Sequence, residues 1–451
     1  MSTYIVQEKQ FYKQLITITV PIALQNLISF GLNMVDTIML GSLGEAQISA
    51  SSIANQPYFI FTVFMFGLAS GASVLTAQYW GKGDTSAISR ILTIAIKASV
   101  LCSLFFGIAV LIFSDNVIGI YTKDREVIVL GSQFLHIIGF SYILSAISTT
   151  YLYILRSVEN VRIPLLINFI SFTVNVVLNW ILIFGKFGFP AMGIKGSAAA
   201  TLTARATELI FTLIFAFKFD KRLRVKVTDF LKMDKMLLRD FLHYSLPVVV
   251  NETLWALGIS MQSVVIGHIS SEAVAANSIA GVIQRLSTVL IFGLANFAAI
   301  AVGKQIGAGN VQKAKKYAST LLVLSVVLGI VSSAFILLVR VPFLSIYNVS
   351  GVTKRYALEI MAVYAFSTLF MCFNSTNIIG VLRGGGDTRF AMYTDLMTLW
   401  LISLPLGFAA GLIFKFPLPI VFLMLTIDEP FKLLVGLPRF KSDKWIKNVT
   451  R

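Results

Sequence analysis

"YASTLLVLSVVLGIVSSAFILLV", residues 317 to 339, runs without a single charge between Lys316 and Arg340. About 20 helical residues cross roughly 30 Å of hydrocarbon, so this stretch is long enough to span a bilayer. In lipid the backbone must satisfy its own hydrogen bonds, which leaves only helices and closed barrels as spanning forms. Barrel strands alternate in polarity over about ten residues, and this stretch does not alternate. It reads as a membrane helix, and the rest of the chain agrees. Of 451 residues, 57% are hydrophobic and only 13% are charged, where soluble domains carry roughly 25%. Mean hydropathy is +0.83.

Working outward, twelve such segments follow one another: 14–40, 48–79, 88–113, 128–155, 163–185, 193–219, 240–267, 273–303, 314–340, 357–382, 388–413 and 417–437. The expected fold is an all-α polytopic membrane protein with twelve transmembrane helices in two six-helix bundles. A polar break divides them, giving an N-lobe over 1–217, a basic linker over 218–239 and a C-lobe over 240–451. The opening "MSTYIVQEKQFYKQ" lacks a cleavable signal pattern, so the first apolar segment is expected to be retained.

The net charge of +16 is not spread evenly. It gathers in "KFDKRLRVKVTDFLKMDKMLLR" (218–239), "KAKKY" (313–317), "RSVENVR" (156–162), "RGGGDTR" (383–389) and the tail "RFKSDKWIKNVTR". "GSLGEA" and "GHISSEA", on the opposite side, have no Lys or Arg. This is the positive-inside asymmetry. It places both termini in the cytoplasm of an inner (plasma) membrane and gives the bilayer, not nucleic acid, as the basic rim's partner. Cys102 and Cys372 lie in apolar runs and suggest neither a disulfide nor a metal site.

The halves repeat. "FGLASGASVLTAQYWGKGD" from Phe66 matches "FGLANFAAIAVGKQIGAGN" from Phe292, an offset of 226. The same offset pairs Pro21 with Pro247, Gly41 with Gly267, and Gly81 and Gly83 with Gly307 and Gly309. After a one-residue insertion, Leu155-Arg156 matches Leu382-Arg383. Halves of six helices enter the membrane in the same sense, so a pseudo-twofold along the membrane normal and a central site are expected. The acids do not repeat: Asp36 falls opposite Gln262, and Glu252 opposite Asn26.

An ionised carboxylate at mid-membrane is costly and needs a partner or a wet cavity. For Asp36 the candidates are Asn175 and Asn179, four apart and therefore on one helix face. Two carboxamides and a carboxylate can hold a proton or coordinate Na⁺ through oxygen; the plainer reading is that the asparagines bond across helices. Arg285 needs a carboxylate, for which Glu252, Asp395 and Asp428 are available. Arg205 and Glu208, three apart, can neutralise each other. Trp255 and Met261 can offer a greasy surface to a cation. Asn26, Arg205, Glu208, Trp255, Gln262, Arg285, Asp395 and Asp428 form the wider candidate cavity. Pro21 and Pro247 interrupt the first and seventh helices and are either static kinks or hinges. "GVLRGGGDTR" lacks the Lys and Ser/Thr of a phosphate loop, and no metal-spaced His pair or nucleophile with its base points to an enzyme.

"PIALQNLISFGLNMVDTIMLGSLG", "GKGD", "LRSVENVRIP", "NVVLNWILIFG" with "GIKGSAAAT", "NETLWALG", "AANSIA", "LRGGGDTR" and "PRFKSDKW" follow in order along the chain. In this order and spacing the chain resembles the multidrug and toxic compound extrusion (MATE) transporters of the MOP flippase superfamily. The resemblance implies a monomeric V-shaped pair of bundles that exports amphipathic organic cations in antiport with Na⁺ or H⁺, without a cofactor. It assigns Asp36, Asn175 and Asn179 to an N-lobe cation site, with Asn179 where one branch has aspartate. It assigns Glu252 to the acid of the seventh helix; the tenth-helix aspartate of some members falls near Cys372. The alternative within the superfamily is a lipid-linked oligosaccharide flippase, which would favour a basic cavity.

Overall fold

A computed structural model describes residues 5–223, 229–230 and 234–450, and among them there is no strand. Parts of the expected basic linker, 224–228 and 231–233, lie outside the described residues, as do residues 1–4 and 451. The long helices are α1 (Lys9–Gly41), α2 (Glu45–Lys82), α3 (Thr85–Ile112), α4 (Arg125–Ile138), α5 (Ser141–Ser157), α6 (Arg162–Phe184) and α7 (Ile194–Phe219). They continue as α8 (Lys235–Gly267), α9 (Ser271–Gly307), α10 (Val311–Leu344), α11 (Gly351–Arg383), α12 (Thr388–Ile413), α13 (Leu418–Leu425) and α14 (Asp428–Lys441). Among the described residues, ten helices are long and apolar enough to cross a bilayer. The pair α4 and α5, bent by 51°, makes an eleventh. The twelfth expected segment, 417–437, is a broken pair, α13 and α14, and carries buried Asp428 and Lys432.

Polar residues start these helices by accepting from their unpaired first-turn N–H groups. Asp84 accepts from Ala87 N at 2.9 Å, Asp124 from Glu126 N at 2.9 Å and Ser270 from Ala273 N at 3.1 Å. Asp234 begins α8 by accepting from Met236 N at 3.0 Å and Leu237 N at 3.1 Å. Pro21 and Pro247 lie inside continuous α1 and α8.

The chain forms two compact units. Unit one holds Met1–Ala23, Ala77–Gly83 and Val250–Arg451; unit two holds Leu24–Thr76 and Asp84–Val249. These units depart from the sequence halves at the opening helix of each half and at Ala77–Gly83, the end of α2. The first part of α8 packs with α2: a Cβ on Gly67 would lie 2.7 Å from Val249 Cα, and one on Gly71 2.4 Å from Ser245 Cα. The first part of α1 packs with α9, where a Cβ on Gly293 would lie 2.8 Å from Thr19 O and 3.5 Å from Ala23 Cβ. Under the 226-residue offset, Gly67 becomes Gly293, Ser245 becomes Thr19 and Val249 becomes Ala23. One close helix crossing therefore occurs twice, each time joining an opening helix to the other half's second helix.

In unit one the glycine-rich turn serves as a seat. Trp445 is fully buried, and a Cβ on Gly385 would lie 2.5 Å from its ring. Asp387, also buried, receives Arg439 Nε at 2.7 Å and Lys447 Nζ at 2.6 Å. Two cations of the basic tail thus share one buried carboxylate within the unit.

Candidate ion and substrate sites

Unit two gathers its polar side chains around α6. Asn179 Nδ2 donates to Asp36 Oδ1 of α1 and, at 2.8 Å, to Asn175 Oδ1 one turn earlier. Asn175 Nδ2 in turn donates to Thr201 Oγ1 of α7 at 3.1 Å. Both asparagines are buried, Asp36 is half-buried, and Asn179 Oδ1 is buried without a partner. One turn beyond Thr201, Arg205 Nη1 pairs with Glu208 Oε2 at 2.7 Å, and Ser148 Oγ donates to Glu208 Oε1 at 2.7 Å. The guanidinium carbon of Arg205 lies 6.0 Å from the centre of the Tyr58 ring. Glu208 and Arg205 cancel, so Asp36 is the carboxylate in excess. Its immediate hydrogen-bond donor is a neutral carboxamide.

Unit one is built differently. Glu252 of α8 meets Arg383 Nη1 of α11 at 2.6 Å, with both buried. Beside Glu252, Asn251 Nδ2 donates to Asp395 Oδ2 of α12 at 3.0 Å. Lys432 of α14 reaches Asp395 Oδ1 at 2.8 Å, Asp428 Oδ2 at 2.7 Å and Glu429 Oε1 at 3.2 Å. Asn374 Nδ2 donates to Glu429 Oε2 at 2.8 Å. Four carboxylates here are bonded to two cations, with Lys432 shared by three of them.

The structure therefore brings together Asp36, Asn175 and Asn179, pairs Arg205 with Glu208 in the same unit, and places Glu252, Asp395 and Asp428 in the second set. It corrects the expected partners of Arg285. Glu252 is taken by Arg383, and Asp395 and Asp428 by Lys432, while Arg285 is exposed on α9. Gln262, opposite Asp36 in the repeat, donates to Leu425 O at 2.7 Å. Asn26 and Trp255 are half-buried and belong to neither set of bonds described above. Arg383 and Lys432 are the functional candidates that the sequence reading missed. In the sequence Arg383 belongs to a basic loop, and Lys432 sits near the end of the last expected span. The spacing of Asp428, Glu429 and Lys432, three and four apart, was the available signal.

The family model MatE matches residues 21–181 and 247–409. The chain belongs to the MatE family of transporters. A probable multidrug resistance protein NorM of Thermotoga maritima is 25% identical over 96% of this chain and 93% of its own length. The multidrug resistance protein MdtK of Yersinia pseudotuberculosis is 26% identical over 91% and 89%. Among solved structures, a MOP superfamily transporter from Pyrococcus furiosus superposes with a TM-score of 0.87 at 18% identity, covering 95% of each chain. A mutant of the Vibrio cholerae MATE transporter VcmN gives 0.88 at 14% identity, over 99% of this chain and all of that one. At these identities the structural likeness speaks for the fold.

Proposed function

We propose that the protein is a secondary antiporter that exports amphipathic organic cations, drugs among them, in exchange for Na⁺ or H⁺. The names of its relatives support multidrug efflux as the setting. The observation that carries the reading is Asp36: a half-buried carboxylate bonded to Asn179 and not to a lysine or arginine. Such a charge is poorly compensated in a low-dielectric surrounding and gains from any small cation. The unpartnered Asn179 Oδ1 supplies a second oxygen close by. Binding of Na⁺ or H⁺ discharges Asp36 and releases the organic cation; loss of the ion restores the negative charge that recruits the next one. The two compete for one carboxylate, and that competition is the coupling. α1 carries both Asp36 and Pro21, so its bending is the natural response to the change in charge. The protein acts as a monomer in the inner membrane with both termini in the cytoplasm, following the basic loops. A flippase of charged lipid-linked sugars would need free cations facing its cargo, whereas Arg205, Arg383 and Lys432 all face carboxylates.

Everted vesicles loaded by imposing Na⁺ and pH gradients separately test this reading. Ethidium should move under one of the two gradients, and Asp36→Asn should reduce that movement to the level of vesicles lacking the protein. Normal ethidium export by Asp36→Asn would overturn the proposal.

A further inference from the structure

The surroundings of Lys432 raise a separate question, because long basic side chains near a span's end ordinarily reach outward to water. This one is 4% exposed. Its ammonium has three N–H donors and no acceptor, and a carboxylate oxygen stands at each: Asp395 at 2.8 Å, Asp428 at 2.7 Å and Glu429 at 3.2 Å. Asn251 and Asn374 hold the outer oxygens of Asp395 and Glu429, so their carboxamides also belong to the cluster. The oxygens of both carboxamides, Asn251 Oδ1 and Asn374 Oδ1, are buried without a partner. So are both polar atoms of Asn377, three residues further along α11 and 1% exposed. A Cβ at Gly436 of α14 would come within 2.8 Å of Asn377 Nδ2, so this glycine leaves the carboxamide its room.

Three carboxylate oxygens converging on one point, with unpartnered carboxamide oxygens on residues bonded to two of those carboxylates, are the ligand chemistry of a hard cation. In this protein nitrogen occupies the point. The carboxylates stand at hydrogen-bond distance from it. Without the ammonium, Asp395, Asp428 and Glu429 would lose the cation bonded to all three, and the deficit would have to be met from solution.

We propose that Lys432 is a tethered counter-cation: it fills an oxygen-lined site in unit one that would otherwise take Na⁺ or K⁺, and so confines metal-ion exchange to the Asp36 set of unit two. The second clause rests on the antiport reading above; the filling of the site by Lys432 does not. Lys432 is thus a specificity determinant that acts by exclusion.

The test is thermal unfolding of the purified full-length protein in detergent, in NaCl, KCl and choline chloride at equal ionic strength. All variants carry Asp36→Asn, so that the unit-two set does not respond as it does in the native chain. Asp36→Asn alone should unfold at the same midpoint in all three salts. Adding Lys432→Met should raise the midpoint in NaCl or KCl above that in choline chloride by about 3 °C or more. Equal midpoints in the three salts would overturn the proposal and leave Lys432 as a structural brace. A metal-salt response of Asp36→Asn alone would also overturn it, since unit one would then bind metal with its lysine in place. Should Lys432→Met fail to fold in choline chloride, recovery in NaCl or KCl supports the proposal. A companion, Lys432→Met with Glu429→Gln, has one buried negative charge fewer and should fold in every salt. It should keep the metal-salt rise, and its absence there would overturn the proposal as well. Normal dye export by Asp36→Asn would sink the antiport reading but leave this test intact.

Discussion

The two units meet the same problem, acids buried in a lipid-facing protein, in opposite ways. Unit two leaves one acid, Asp36, with a neutral hydrogen-bond donor; unit one bonds its four acids to two cations, Arg383 for Glu252 and Lys432 shared by Asp395, Asp428 and Glu429. Arginines at matching positions of the repeat show the contrast most clearly. Arg383 forms an ion pair with Glu252 at 2.6 Å. Arg156 instead donates to the neutral Gln25 and lies 4.4 Å from the centre of the Tyr153 ring. The scaffold kept the arginine while the charge beside it changed. Duplication therefore preserved the frame and freed the polar positions to diverge.

The largest test of this contrast removes the arginines one at a time. Arg383→Met strands Glu252 as an unpaired buried charge and should cost about 3–5 kcal/mol, read from chemical or thermal unfolding in detergent. Neutralising both partners, Arg383→Met with Glu252→Gln, should restore most of that loss. Arg156→Met, whose partner is neutral, should cost only about 1–2 kcal/mol. Equal costs at the two positions would break the comparison.

The repeated helix crossing gives a middle-sized test. Gly67→Ala in unit two and Gly293→Ala in unit one both push a methyl group into a neighbouring backbone, at 2.7 Å and 2.8 Å. Each should destabilise by about 1–3 kcal/mol, and by amounts similar to one another. A large difference would mean that the crossings are not equivalent packing solutions.

The smallest effect lies outside the membrane, at the start of α8. The N–H of Leu237, with that of Met236 and the Arg90 guanidinium at 3.0 Å, holds the Asp234 carboxyl below its ordinary value of 3.8. A carboxyl lowered in the folded state stabilises above its unfolded value, and that contribution disappears as pH falls through the lowered one. Asp234→Ala should cost about 1 kcal/mol at neutral pH, with the difference from the native chain beginning to shrink as pH falls below about 4 and vanishing below the lowered folded value. A pH-independent difference would show that the cap's charge is irrelevant.

Much of this molecule is legible in its residues. Uninterrupted apolar runs such as 317–339 can only be helices in lipid, and the 226-residue repeat is visible without a structure. The Asp36 set is legible for a local reason: Asn175 and Asn179 are one turn apart, and a lone acid in an apolar run demands a partner. Arg383 and Lys432 were not legible. Near the end of a span the same basic residue can reach out to headgroups or turn inward to an acid, and its neighbours in sequence are compatible with both.

What the sequence by itself determined is therefore the helices, the duplication and the presence of buried acids, because hydropathy and helical spacing act within a single segment. Only the tertiary structure decided which cation meets which acid, and that each opening helix begins in one compact unit and ends in the other. Those outcomes depend on side chains and glycines more than a hundred residues apart, such as Glu252 with Arg383 and Gly67 with Val249, and their energies exist only once distant helices pack together.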